Sequence, residues 1–370
     1  MQKKLIALAL ASAFAAPAFA ATSNVDIYGV LNVSIDRVDS NVTGTDKSTN
    51  VNSNASRLGF KGSEDLGGGL KAIWQIESGF NADTGGGTLG SRNTFVGLSG
   101  GFGSVIAGRH DTPMKLLGRK VDNFGDGMAD DRNILGTPAD TGANAFDGRP
   151  NNVIAYMTPN FSGLSAAIAY VTDHGTGTDT TCSTGLDCNN RDAWSAMASY
   201  ENGPFMVGAG YEKHNTQTTL GANIDRKLWR IVGGFSFGDA KLGALYEKGS
   251  SSDASLDGAA RKAWGIFGNY AIGAVTLKAN YLKADASDFA YDGTTTGTVA
   301  GIGMDGGKQY TLGADYALSK RSTAYVYYAK VKNDANGAYG LGKGGGDSNT
   351  AYGAAGADPS VFGIGMKHTF

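Results

Sequence analysis

The chain has 370 residues, with 32 Lys and Arg against 34 Asp and Glu and a formal charge of −2, a balance that argues against a general nucleic-acid binder. Its 57 glycines are roughly twice the ~7% usual share, yet only 7 prolines accompany them, which excludes collagen and a proline-rich linker. Sixteen tyrosines and sixteen phenylalanines are too many for a disordered chain.

Residues 1–20 read as a secretory signal: basic Lys3 and Lys4, a short apolar run from Leu5 to Ala16, and the small-x-small site Ala18-Phe19-Ala20. The run is shorter than the ~20 residues that span a bilayer, and Pro17 breaks it. Its removal leaves residues 21–370 as a single barrel domain and takes the charge to −4, because Lys3 and Lys4 go with it. No later segment approaches 18 consecutive apolar residues, so no transmembrane helix is predicted.

The first strand, Val25 to Arg37, has period two. Val25, Ile27, Leu31, Val33 and Ile35 share one face, and Asp26, Asn32, Ser34 and Asp36 the other. From there, strand-like runs of about ten residues are joined by short turns at one end and long polar loops at the other. The turns include Glu64-Asp65-Leu66-Gly67-Gly68, Glu201-Asn202-Gly203-Pro204 and Phe237-Gly238-Asp239. The long loops cover about 39–53, 82–90, 111–148, 174–190, 215–225, 251–260, 286–307 and 334–357. Seven turns and eight loops alternate and separate sixteen strands.

The strands predict which face meets hydrocarbon. In Phe205 to Glu212, Phe205, Val207, Ala209 and Tyr211 oppose Met206, Gly208, Gly210 and Glu212. In Lys241 to Glu247, Leu242, Ala244 and Tyr246 share the apolar face, with Leu245 an exception. Tyr156, Phe161, Tyr170, Tyr200, Phe205 and Tyr270 cluster at strand ends, where interfacial girdles sit. A soluble sandwich needs no asymmetry between short turns and long loops; an exported barrel of even strand number does. In hydrocarbon every backbone N–H and C=O must be paired, so a membrane chain without helices must close its sheet. The fold expected is all-β, a 16-stranded antiparallel transmembrane β-barrel with a water-filled lumen, long outer loops and the third loop folded inward.

That third loop, Asp111 to Gly148, is 38 residues long, beyond ordinary connections. It carries seven acids, Asp111, Asp122, Asp126, Asp130, Asp131, Asp140 and Asp147, and four bases, Lys115, Arg119, Lys120 and Arg132. Met114 to Asp131 is predicted to hold a short helix. Folded inward, the loop would turn Asp122, Asp126, Asp130 and Asp131 toward the wall. The wall offers the opposite charge: Arg57 and Lys61 with Gly59 between them, Lys71, Arg92, Arg109 before the loop and Arg149 after it. A rigid arginine array facing carboxylates makes a transverse field that sorts ions by sign. Charge at the narrowest point points to anion preference. Whether a metal sits on the loops is left open by the residues, and no cofactor is expected.

Cys182 and Cys188 lie six residues apart in an exported chain and are expected to form a disulfide in the fourth long loop. The last segment, Val361 to Phe370, alternates again: Phe362, Ile364, Met366, His368 and Phe370 on one face, Gly363, Gly365, Lys367 and Thr369 on the other. An alternating strand that ends on an aromatic has no solvated tail, so this end is expected to pair with the first strand.

Taken together, these residues resemble the general diffusion porins of Gram-negative outer membranes, of the β-proteobacterial and neisserial type. The resemblance rests on Val25-Asp26-Ile27-Tyr28-Gly29, Ser56-Arg57-Leu58-Gly59-Phe60-Lys61-Gly62, Ala72-Ile73-Trp74-Gln75-Ile76-Glu77, Arg92-Asn93-Thr94-Phe95-Val96-Gly97-Leu98, Gly108-Arg109 and the terminal phenylalanine. It implies a homotrimer in contact with outer-membrane lipid and lipopolysaccharide, each barrel passing small hydrophilic solutes and ions. It further implies that Arg57, Arg92 and Arg149 line the constriction and that the outer-membrane assembly machinery reads Phe370. The third loop departs from the family pattern at His110-Asp111-Thr112-Pro113, where an aromatic-rich start is usual.

Other classes fit less well. A barrel-borne enzyme would need a nucleophile–base pair, but His110, His174, His214 and His368 are scattered and no His-Glu-x-x-His occurs. A surface adhesin or solenoid would need a short repeat, which is absent. A substrate-selective channel would need an aromatic slide, and the third loop holds only Phe124 and Phe146.

Overall fold

The computed structural model describes residues 24–42, 44–136, 146–173, 192–217, 223–251, 260–286, 305–343, 345 and 355–370. The expected leader, Asp140 and the Cys182–Cys188 pair lie outside them. The first eight strand segments are β1 (Asn24–Asp39), β2 (Ser48–Ser53), β3 (Arg57–Gly67), β4 (Leu70–Phe80), β5 (Gly87–Thr88), β6 (Thr94–Gly100), β7 (Gly103–Arg109) and β8 (Val153–Met157). They continue as β9 (Leu164–Val171), β10 (Ala193–Asn202), β11 (Phe205–Gln217), β12 (Asn223–Phe237) and β13 (Ala240–Ser251). The last five are β14 (Ala260–Ile272), β15 (Val275–Ala284), β16 (Gly307–Ala317), β17 (Ser322–Asn333) and β18 (Ser360–Thr369).

β2 and β3 both pair with β1 and run end to end, and β5 and β6 both pair with β4 in the same way. The eighteen segments therefore make sixteen staves of one antiparallel sheet. The sheet closes where β1 pairs with β18, from Val30 opposite Thr369 to Asp39 opposite Ser360. The seam is finished by Gly29, whose N–H donates to Phe370 O at 3.1 Å and whose carbonyl accepts from Phe370 N–H at 3.2 Å. Closure leaves no edge, which is what a sheet in hydrocarbon requires. No helix among the described residues is long and apolar enough to cross a membrane.

Period two sends alternate side chains to opposite faces, and here the apolar set is the exposed one. On β1, Val25, Ile27, Leu31 and Ile35 are exposed while Asn32, Ser34 and Asp36 are buried. On β11 and β13, Phe205, Val207, Tyr211, Leu242 and Tyr246 face outward. A surface of that kind is stable only against lipid. The turns at one end are tight; Gly67, Gly68 and Gly69 at the β3–β4 turn all have positive φ, a conformation open to glycine at no steric cost.

The core lies inside the barrel. Leu117, Val121, Phe124, Met128, Ile134 and Leu135 of the third long loop pack with Val232, Leu245, Phe267 and Leu282 of the wall. Leu245 breaks the alternation of its strand because it faces this loop. The predicted helix over Met114 to Asp131 is shorter in the structure: α1 spans Pro113–Gly118, with Thr112 accepting from Lys115 N–H at 3.3 Å. Beyond it, the Asp122 carboxylate accepts from Phe124 N–H at 2.9 Å, and the Asp130 carboxylate from Arg132 N–H at 2.9 Å. Such short-range side-chain bonds compete with the helical ladder, and farther along Asp126 takes φ 67°, outside the helical region.

Candidate functional site

The wall arginines come from strands that neighbour one another. Arg57 opens β3, opposite Gly79 of β4. Gly79 also borders Arg92: a Cβ added there would stand 3.5 Å from Arg92 Cδ, an ordinary contact, so Arg92 lies over the residue paired with Arg57. Arg92 is held by Glu77, Nε to Oε1 at 2.6 Å, and the other oxygen of Glu77 accepts from the Tyr28 hydroxyl at 2.9 Å. Arg149 donates from Nε to Asn93 Oδ1 at 2.7 Å and pairs with Asp111 at 3.0 Å. Arg109 donates to the Ser91 carbonyl at 2.9 Å and to the Asn151 side chain.

Of the carboxylates expected to face this wall, Asp126 meets it directly. Its Oδ2 is 3.1 Å from Arg57 Nη1 and its Oδ1 is 3.5 Å from Arg119 Nη2. Asp122, Asp130 and Asp131 turn inward on the loop itself. Arg119 reaches Asp122 at 2.7 Å and Asp130 at 3.3 Å, and Arg132 grips Asp130 at 2.8 Å. Among the described residues these three form one acidic cluster, with ligand-type oxygens within 4.8 Å of each other. Lys61 lies 5.4 Å over the Tyr28 ring. Lys71 sits nearer the short-turn end, opposite Asp65 and Ser99, apart from the arginines.

Burial and charge set the loop's protonation. Burial pushes Asp122 from 3.8 up to about 6, with repulsion from Asp130 adding to it. Burial, then Asp122 and Asp130, raise Asp131 as well. Burial also works to raise Asp130, but Arg132 and Arg119 outweigh it and hold its carboxyl well below the usual range. Asp126, likewise pushed up by burial, is brought below its ordinary value by Arg119 and then Arg57.

The loop is fixed to the far wall by residues that the sequence reading passed over. Arg230 on β12 pairs with Glu247 on β13 at 2.7 Å and with Asp147 at 3.1 Å, and donates to the Met114 carbonyl at 3.3 Å. Glu247 also accepts from Gly136 N–H at 2.8 Å and pairs with Arg261 on β14 at 3.2 Å. Arg261 donates to the carbonyls of Ile134 and Gly136. All four side chains are buried. The available signal was phase: Arg230 stands between outward Trp229 and Ile231, so it must point in.

The Gram-negative porin family model matches residues 7–336. The major outer membrane protein P.IB of Neisseria meningitidis is 33% identical over 240 residues, 61% of this chain and 63% of that protein. That of Neisseria lactamica is 28% identical over 61% of this chain and 64% of its own length. The chain thus spans under two thirds of the length of the neisserial proteins it matches. Among solved structures, an anion-selective porin from Comamonas acidovorans superposes with TM-score 0.75 at 26% identity, covering 94% of this chain and all of that one. OmpT of Vibrio cholerae in its trimer form, at 17% identity and TM-score 0.66, shares the fold. With a closed sixteen-stave barrel, an apolar outer face and a family model that spans most of its length, the chain belongs to the Gram-negative porin family.

Proposed function

We propose that this outer-membrane protein is a general diffusion porin: a passive, water-filled channel for small hydrophilic solutes and ions, narrowed by the third long loop against Arg57, Arg92 and Arg149. The observation that carries this reading is the 3.1 Å pair between Asp126 of the inward-folded loop and Arg57 of the wall, inside a closed barrel. Charges lining a narrow opening set a local field that counts more for ion choice than the protein's net charge. Arg92 and Arg149 extend the positive side, while Glu77 and Asp111 neutralise part of it. The expected preference is for anions. Lys61 widens the positive wall toward the short-turn mouth, and Arg109 braces the loop's start. Asp122, Asp130 and Asp131 shape the loop more than they face the stream of ions.

The working assembly in this reading is a homotrimer set in outer-membrane lipid and lipopolysaccharide, with Phe370 read by the assembly machinery. The test is purified protein in planar bilayers. Stepwise conductance increments in 1 M KCl, together with a heat-sensitive trimer band on gels, are the expected result. A protein that stays monomeric in buffer without detergent and adds no conductance overturns the reading.

A further inference from the structure

Beneath the loop tip, on the short-turn side, lies a cavity of ≈ 310 Å³ whose wall is unevenly charged. Lys278, Lys320, Arg321 and Lys367 line it as cations, and Asp126 and Asp315 as anions. Both acids are already matched. Asp315 pairs with Lys278 at 2.9 Å, and Asp126 with Arg57 at 3.1 Å and Arg119 at 3.5 Å. Lys320, Arg321 and Lys367 have no carboxylate within ion-pairing distance among the described residues.

The topology makes this convergence fixed. Lys320 and Arg321 sit in the turn between β16 and β17. Lys367 on β18 stands opposite Thr323 of β17 and Asn32 of β1. A Cβ on its neighbour Gly365 would come within 2.4 Å of the Tyr325 ring, so glycine there lets that ring lie flat against the strand. The Tyr325 hydroxyl is committed, donating to Asn32 Oδ1 at 2.6 Å and accepting from Asn54 at 3.3 Å. These bonds tie together a polar back wall, and the three cations line the same cavity. Lys320 and Arg321 are exposed and Lys367 is half-buried, and an anion with several oxygens can accept from more than one of these cations at a time. Chloride offers one centre, so it gains less from this arrangement than an oxyanion does.

We propose that this cavity is a binding station for small doubly charged oxyanions of the phosphate class, reached through the short-turn mouth and lying in series with the constriction. The proposal rests on the channel reading above. The test uses the whole protein in planar bilayers, in dilute KCl, with inorganic phosphate titrated in at constant ionic strength. Phosphate is expected to reduce the chloride current saturably. The half-blocking concentration is expected to rise about tenfold in Lys367→Gln, and likewise in the Lys320→Gln/Arg321→Gln pair, the loss that follows from one charge-assisted hydrogen bond. The paired variant lies in an exposed turn, so folding is not at stake there. Lys47→Gln, at an exposed site on the first long loop, is expected to block as wild type does. Conductance without phosphate block, or block unchanged in both variants, overturns the station while leaving the channel intact; absence of any conductance overturns both.

Discussion

Asp122 holds its proton to about pH 6 because it is buried beside Asp130. Its folded-state value lies above the ordinary 3.8, so between about pH 4 and 6 the folded chain binds a proton that the unfolded chain has already lost. This group's contribution to stability therefore falls as pH rises through that window. Protonation also removes a negative charge close to Asp126 and Arg119. Anion preference is expected to increase between pH 7 and pH 5, read as a shift in reversal potential, and the step is expected to vanish in Asp122→Asn. A step of equal size in that variant assigns it to another group. The ion network at Arg230 offers a second test at the same scale. Glu247→Gln leaves Arg230 and Arg261 short of a partner in a buried site, which costs about 3–5 kcal/mol. A marked fall in the unfolding temperature is expected, whereas Lys47→Gln, which breaks the exposed 2.9 Å pair with Asp39, changes it little.

At the scale of elements, strand alternation was readable because a barrel buries and exposes side chains strictly by turns. Val25, Ile27, Leu31 and Ile35 declared their face, and the short turns declared their end. Leu245 looked like an error in that code until the third loop was seen to pack on it. The loop itself has no period, so its seven acids could be counted but not oriented. The structure divides the six that lie among the described residues: Asp126 meets the wall at Arg57, Asp111 meets Arg149, Asp147 joins Arg230, and Asp122, Asp130 and Asp131 gather around Arg119 and Arg132. Long-range pairs such as Arg230 with Asp147 leave no local trace in a sequence. The loop's seat is also made by what is missing from the wall. At Gly243 a Cβ would come within 3.0 Å of Val121. Gly243→Leu is therefore expected to push the loop off its seat at a cost of about 1–3 kcal/mol and to alter single-channel conductance. Conductance and unfolding temperature equal to wild type would show that the wall has room there.

For the whole molecule, closure and field are the two properties that matter. Closure ends at Gly29, where a Cβ would stand 2.3 Å from the Phe370 ring, so that ring lies directly over the first strand. Phe370→Ala removes the cover from the seam, and a lower yield of heat-sensitive trimer is expected. The field is the central claim, and the reversal potential across a KCl gradient measures it most directly. Wild type is compared with Arg57→Gln, Arg92→Gln and Arg149→Gln combined, first near 0.01 M salt, where the Debye length is ~30 Å, then near 1 M, where it is ~3 Å. The account predicts a loss of anion preference that is large in dilute salt and small in concentrated salt, with stepwise conductance retained. A combined variant whose reversal potential in dilute salt equals that of wild type contradicts it.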